Sequence, residues 1–572
     1  MLKKRFNTII IIIGIIFCII IARLIYLQVF KYQFYKEKSN NQLKRIIPLS
    51  AQKGNILDRN KKKLATMKKS YSFYALPQEI NNKWEYSKQV SAILQIPRKK
   101  IFNKINKNKK FIWIKRHCNQ KIHKKLTQLN LKGLEYIIEK KRIYPEQTLA
   151  SHVIGFVGID NQGLSGIEYK FDETLKGQKG KLILQKDPKG NQLITGKRKV
   201  IQPHNGQNIV TTIDTYIQHI SEKHLKWGVE KFNAKNGTVV VLDPKSGDVL
   251  AMCSTPTFNP NSWNKEKNTT LKNSAILNVF EPGSVLKIFT IAAAINEDIV
   301  TSDTIIEVPP QLKLGKHTIK EAHPPEPGTP LKRSVSDILT YSLNVGTSKI
   351  AMKLGKKKLY SYLHQFGFGK KTQVELPGEQ KGLFNPPSKW SGIDIAMISF
   401  GQGMACTALQ LTTATATIAN QGHYIKPRII KYFTDQSFQT RKAIPVQQQH
   451  QILKKTTAQQ ITKIMVNVVE NGTATPVKIK GYQIAGKTGT AQKASSTSRG
   501  YLKNKYIATF VGFFPAQNPR VVILVSLNEP SPVIWGGYTS GKIFKKIAWD
   551  IINYLKIPPS NNQRITQATD LN

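Results

Sequence analysis

Apolar residues in this chain form one long block and many short ones. Lys3, Lys4 and Arg5 precede an apolar run from Ile9 to Ala22, which resumes after Arg23 from Leu24 to Phe30. Thr8 to Phe30 is 23 residues, roughly 35 Å of helix and enough to cross a bilayer. Arg23 lies toward the outer end, where its long stem can snorkel. No small-residue cleavage site comes after the Ile-rich stretch, so an uncleaved anchor is expected rather than a signal peptide. With the basic residues ahead of the run, residues 1–7 are expected as a cytoplasmic tail and 8–30 as a single transmembrane helix. Everything from Lys31 onward then lies outside the membrane, away from ATP and DNA.

After the anchor the pattern is short and mixed. Residues 31–215 are rich in Lys and Asn, with β-like runs and Gly turns, and read as an extended, mostly β module. From 216 the texture changes. Ile217 to Trp227 has helical spacing. The β-branched run Thr238 to Leu242, the turn Asp243-Pro244-Lys245-Ser246-Gly247 and the run Val249 to Cys253 predict a hairpin. Helices and strands mix to about Pro558, and residues 559–572 are a polar tail. There is no internal repeat.

The chain has 572 residues, 40% hydrophobic and 21% charged, which suffices for a large core and more than one domain. Lys and Arg number 87 against 34 acidic residues, a formal net charge of +53. Such an excess attracts polyanions. The positive charge is nevertheless scattered, and Lys, Asn and Ile are abundant together as AT-rich coding would produce, so no nucleic-acid partner is expected. The four cysteines form no Cys-x-x-Cys pair and none of the eleven His precedes a Glu, so no metal chemistry is expected.

The chemistry sits in three places. Ser284 is followed by Lys287 and then by a run from Ile288 to Ile295 that is apolar nearly all round, as a buried helix would be. Positions i and i+3 share a helix face, which sets the Lys287 amine beside the Ser284 hydroxyl. Desolvation favours a neutral lysine, and a neutral amine can take the serine proton. The same Ser-x-x-Lys spacing at Ser50–Lys53 and Ser262–Lys265 opens no apolar helix. Ser342-Leu343-Asn344, 58 residues on, could relay a proton and hold Lys287; Ser-x-Asn also occurs at Ser39, Ser262 and Ser526. Lys487-Thr488-Gly489-Thr490 occurs once. A cation, two hydroxyls and a bare position on a strand edge suit a carboxylate-bearing peptide added alongside. Gly481 and Gly486-Lys487-Thr488 also match a P-loop, but Gly489 and the stretch from Lys493 to Gly500 are poor helix material.

Taken in order, Ser284, Ser342 and Lys487 head three motifs that resemble those of the penicillin-binding proteins and serine β-lactamases. Lys53 to Asn60, Arg142-Ile143-Tyr144-Pro145 with His152 and Gly155-Phe156, and Gly163 to Glu168 are similar to the pedestal motifs of the class B members, with Lys53 where that family usually has Arg. Val279 to Ser284, Asn344-Val345-Gly346 and Lys503 to Ala508 look most like the division-specific septal transpeptidase; Gly401-Gln402-Gly403 is closer to the elongation-type relative.

The resemblance implies a membrane-anchored α+β protein with a pedestal over 31–215 and a transpeptidase domain over 216–558, an α/β/α body around an antiparallel sheet. It implies that Ser284 is acylated by a peptidoglycan stem peptide, with Lys287 as base, Ser342 as proton relay and Asn344 positioning the lysine. Lys487 would supply positive potential, Thr488 and Thr490 would bind the terminal carboxylate beside Gly489, and the N–H groups of Ser284 and Thr490 would form the oxyanion hole. β-Lactams are the implied inhibitors; a membrane glycan polymerase and other division proteins are the implied partners. The implied location is the bacterial inner membrane, with the catalytic domain periplasmic. A carboxypeptidase, a β-lactamase or a lactam sensor shares the motifs, but the class A pattern Glu-x-x-Leu-Asn is absent between Ser342 and Lys487.

Overall fold

The computed structural model describes residues 2–42, 44–185, 198–322, 331–439, 441–446, 450–495 and 500–560. Helix α1 (Leu2–Ile25) runs on through a π-helical turn at Tyr26–Phe30. It is the one helix among the described residues long and apolar enough to cross a membrane, with mean hydropathy 3.0 and no buried residue in its apolar window. The chain divides into two compact units. One comprises Met1–Lys53 and Lys176–Gly206, the other Gly54–Leu175 and Gln207–Asn572. In the first unit, strand Gly180–Gln185 pairs antiparallel with Lys44–Leu49 and with Lys199–Ile201.

The second unit has two cores. The smaller belongs to a lobe in which β1 (Lys63–Ala75) pairs with β2 (Ile112–Cys118) and β3 (Leu134–Ile143), all antiparallel. Helices α2 (Lys83–Leu94), α3 (Arg98–Ile105) and α4 (Gln120–Gln128) complete it. The side chains of Asn82 and Asn119 accept the N–H groups of Glu85 and Ile122, which caps α2 and α4. Phe73, Val90, Ile101, Ile105 and Leu126 fill the interior.

The larger core is built on a five-stranded sheet. After α5 (Thr215–Lys231), strands β4 (Asn236–Leu242) and β5 (Val249–Thr255) form the expected hairpin, with Val239 opposite Cys253. Next along the chain come α6 (Lys287–Asn296), α7 (Val335–Thr340), α8 (Asn344–Leu354), α9 (Ala408–Ala419) and α10 (Lys455–Glu470). Strands β6 (Ala485–Ala494), β7 (Tyr501–Phe514) and β8 (Val521–Asn528) and helix α11 (Ser540–Tyr554) close the fold. Strand order is β5-β4-β8-β7-β6, antiparallel throughout, so β6 lies at the edge. Helices α5 and α11 pack on the sheet as one layer and α9 and α10 as another, with α6 against α10. Both sheet faces are therefore covered, which explains why β8 reads as a continuous apolar run instead of an alternation and is buried from Val521 to Leu527.

The larger core also takes in Ile56, Leu64, Tyr144, Val153, Ile154, Ile167 and Leu175 from the earlier part of the chain. At that junction the Arg142 and Glu168 side chains are fully buried and paired, Nε to Oε1 at 2.5 Å. Arg142 Nη1 donates to the Gly54 carbonyl at 2.6 Å and Tyr144 Oη to Glu168 Oε1 at 3.3 Å. A Cβ on Gly54 would fall 1.8 Å from the Gln207 carbonyl oxygen, so only glycine fits there. These are residues of the pedestal motifs, and what unites them is a desolvated charge pair holding three separate stretches of chain.

Removing one member of such a pair costs about 3–5 kcal/mol, whereas apolar replacement of both is near neutral. Arg142→Met is therefore expected to lower the thermal unfolding midpoint of the detergent-solubilised chain, and adding Glu168→Met to restore most of the loss, both followed by circular dichroism. Equal midpoints for the single and double variants would show that the charge pair is not what holds the junction.

Candidate active site

The turn that carries Ser284 is shaped by two glycines. Gly283 has φ +55° and donates its N–H to the Gly401 carbonyl at 3.1 Å. A Cβ on Gly401 would lie 2.1 Å from the Gly283 carbonyl oxygen. Gly403 donates its N–H to Glu281 Oε1 at 3.0 Å, so Gly401-Gln402-Gly403 buttresses the turn. A 3-10 turn, Gly283–Leu286, leads into α6, every residue of which from Lys287 to Ile295 is buried. Ser284 is half-buried and opens on a cleft of about 500 Å³.

Lys287 is fully buried, and its amine is held from the far side of the cleft. Nζ donates to the Ser342 carbonyl at 2.5 Å, to Asn344 Oδ1 at 2.7 Å and to Ser342 Oγ at 3.3 Å. The Ser284 hydroxyl has no side-chain hydrogen bond among the described residues; the lysine one turn away is drawn to three acceptors on another segment.

That segment is the junction of α7 and α8. The Ser342 N–H bonds to the Leu339 carbonyl at 3.3 Å and the Leu343 N–H to the Ile338 carbonyl at 2.9 Å. This is the pattern of a Schellman ending, whose left-handed position usually holds glycine. Here it is Ser342, at φ +62°. A side chain in that conformation is strained by about 1–3 kcal/mol. It places the hydroxyl between two amines: Lys487 Nζ donates to Ser342 Oγ at 2.8 Å.

Lys487 lies on β6, also fully buried. Thr488 Oγ1 is 2.8 Å from Thr473 Oγ1, and Thr490 Oγ1 accepts the Gly536 N–H at 3.1 Å. Thr488 and Thr490 line the same cleft as Ser284 and Ser342. At Gly489 a Cβ would lie 2.9 Å from the Pro282 carbonyl oxygen and 3.0 Å from Val285 Cγ2. The space left by its missing side chain thus seats the nucleophile turn, where the strand pattern had suggested room for an added peptide. The P-loop match resolves as strand: β6 runs from Ala485 through Lys487-Thr488 to Ala494, with no helix N-terminus for a phosphate.

Burial pulls the Lys287 amine down to about 7, with Glu321 pushing the other way. Burial, then the like charge of Lys287, takes Lys487 well below the usual lysine range. Two desolvated amines sharing one hydroxyl titrate as a pair, and the second proton is the costly one. The free site therefore favours a neutral amine next to Ser342, the state a proton-abstracting group needs. For Lys487 this direction runs against the standing cation that the motif resemblance implies.

All eight sequence-derived residues converge here. Sequence reasoning missed Thr473, Glu321 and the loop Trp535–Tyr538, which line the cleft as well. Asn471-Gly472 marks a helix end before Thr473 but not its role, and nothing near Glu321 signals a site. No group of three or more metal-ligating side chains occurs among the described residues.

Comparison with known proteins agrees on both halves of the chain. Residues 237–551 match the penicillin binding protein transpeptidase domain and residues 48–211 the penicillin-binding protein dimerisation domain. The chain is 34% identical to a probable peptidoglycan D,D-transpeptidase PenA of Neisseria meningitidis, over 97% of this chain and 94% of that one. It is 32% identical to the peptidoglycan D,D-transpeptidase FtsI of Buchnera aphidicola, over 97% and 96%. A crystal structure of penicillin binding protein 3 from Mycobacterium tuberculosis complexed with aztreonam superposes with a TM-score of 0.71 at 28% identity, covering 90% of this chain and 98% of that one.

The left-handed Ser342 separates strain from chemistry. Ser342→Gly relieves the backbone strain but also removes the acceptor of two buried amines, and with these effects opposed the unfolding midpoint should move little. Capture of benzylpenicillin by the same sample, followed by intact-mass spectrometry, should slow by about 100-fold or more. Unimpaired capture would remove Ser342 from the reaction.

Proposed function

Because the chain belongs to the class B penicillin-binding proteins, we propose that it is a serine D,D-transpeptidase that cross-links peptidoglycan stem peptides. The observation that carries this reading is the convergence of two fully buried lysines on one serine hydroxyl beside a second, cleft-facing serine. Neutral Lys287 takes the Ser284 proton as Oγ attacks the carbonyl of the penultimate D-alanine. The N–H groups of Ser284 and Thr490 receive the developing oxyanion, a contribution of about 2.7–4 kcal/mol per donor in comparable acyl transfers. The proton passes from Lys287 through Ser342 to the departing D-alanine nitrogen, and the C–N bond breaks to leave a Ser284 ester. The amine of a second stem then attacks that ester and restores the hydroxyl.

The terminal substrate carboxylate sits against Lys487, Thr488 and Thr490. Its charge favours a protonated Lys487, and that cation in turn disfavours a proton on Lys287. Substrate binding thereby prepares the base, which reconciles the depressed free-state Lys487 with the electrostatic role the motif implies. β-Lactams acylate the same serine by presenting a strained amide to it. No metal or cofactor enters these steps.

The similarity to FtsI supports a role at the division septum. The apolar helix α1 supports anchoring in the cytoplasmic membrane, with the basic N-terminus inside and the catalytic domain outside. The pedestal over 31–215 is read as the part that contacts and activates a membrane glycan polymerase and other division proteins.

Full-length protein incubated with benzylpenicillin should carry its covalent adduct on Ser284, and Ser284→Ala should carry none. The acylation rate should climb with pH through about 7, since the amine must lose its proton to act. With a thioester substrate, an added D-amino acid should capture the acyl group; exclusive hydrolysis would point instead to a carboxypeptidase. An adduct elsewhere, or a rate that falls as pH rises toward 8, would overturn the assignment.

A further inference from the structure

Glu321 comes directly after the hairpin of strands Gln311–Leu314 and His317–Lys320. Its two carboxylate oxygens accept the backbone N–H groups of Asn344 at 2.5 Å and Val345 at 2.9 Å. Those are the first amides of α8, which have no partner within the helix. The N-cap of α8 is Leu343, whose side chain offers no acceptor. The Lys320 carbonyl accepts Asn344 Nδ2 at 2.9 Å. With its N–H and its amide nitrogen both held by the hairpin end, Asn344 has Oδ1 left to face Lys287 Nζ.

An acidic group at a helix N-terminus is an ordinary stabiliser. What sets this one apart is its location. It comes from 23 residues upstream, lines the cleft with Ser284, and leaves the N-cap position of α8 to a residue of the Ser-x-Asn motif. We propose that Glu321 is a positioning residue for acyl transfer: its carboxylate locks Asn344 so that Oδ1 orients the Lys287 amine. The inference rests on the transpeptidase reading above.

The charges around Lys287 make the expected sign definite. Lys287 faces Lys487 from β6 and the polar groups of Ser342 and Asn344, while Arg333 lines the cleft from strand Lys332–Ser334. Glu321 pushes the Lys287 amine toward its protonated form against burial. Loss of that charge makes the amine shed its proton at lower pH.

The test is the benzylpenicillin acylation rate of the full-length chain between pH 5 and 10, for wild type, Glu321→Gln and Glu321→Asp, with unfolding midpoints measured alongside. Glu321→Gln keeps the shape and one acceptor. It should shift the acidic limb to lower pH and lower the plateau by on the order of tenfold, since Asn344 is held less firmly. Glu321→Asp should restore the limb toward wild type. A Gln variant whose limb or plateau coincides with wild type overturns the proposal, even if its midpoint falls, because a merely structural cap would behave that way. If wild type itself forms no Ser284 adduct, the transpeptidase reading fails first; normal wild-type acylation with an indifferent Gln variant sinks only the role of Glu321.

Discussion

Two lysines with no access to solvent, sharing one serine hydroxyl, are the constraint to which the catalytic half of this molecule answers. Each buried amine needs acceptors, and desolvation without them would cost more than a helix or strand could return. The acceptors come from three directions: the Ser342 carbonyl and hydroxyl, Asn344 Oδ1, and for Lys487 the carbonyl of Thr488. None can move without exposing or stranding a charge. Proton affinity, in this arrangement, is a property of the fold.

The fold supplies that arrangement with ordinary parts placed unusually. A helix buried on all sides carries Lys287 into the interior, and an edge strand leaves one flank of Lys487-Thr488-Gly489-Thr490 without a strand neighbour. A helix ending that would normally use glycine uses Ser342, so a hydroxyl stands at the left-handed position of the backbone. Glycine does its work at Gly489, where the nucleophile turn presses on the strand. Close packing of turn against edge fixes the spacing between Ser284 and the residues expected to bind substrate.

Much of this was legible in the sequence, for reasons that differ by element. The hairpin of β4 and β5 was visible because β-branched runs flank a turn with Gly247, whose φ is +73°. Helix α6 was visible because its apolar character runs all round, which only full burial permits. The edge position of β6 followed from the chemistry of Lys-Thr-Gly-Thr rather than from periodicity. Other features depended on distance along the chain. Arg142 and Glu168 are 26 residues apart, and Arg142 also donates to the carbonyl of Gly54, 88 residues away. The grip of Asn344 on Lys287 spans 57 residues, and Thr473 reaches Thr488 only through the packing of α10 beside β6. The reason for Gly489 was misread because the clash it avoids lies on another segment.

The continuous interior that joins Ile56, Leu64, Ile154 and Ile167 to the catalytic sheet carries a practical corollary. A fragment trimmed to begin at residue 216 would lay bare the underside of α5, where the Ala150 N–H and Glu222 Oε1 meet at 2.9 Å and where burial lifts that carboxyl to about 7. Water reaching it would ionise the acid beside a newly uncovered greasy surface. For anyone wishing to crystallise the protein or screen inhibitors without its apolar helix, the safe cut falls ahead of Lys44, whose strand pairs with Gly180–Gln185, and not at the point where the chain's texture changes.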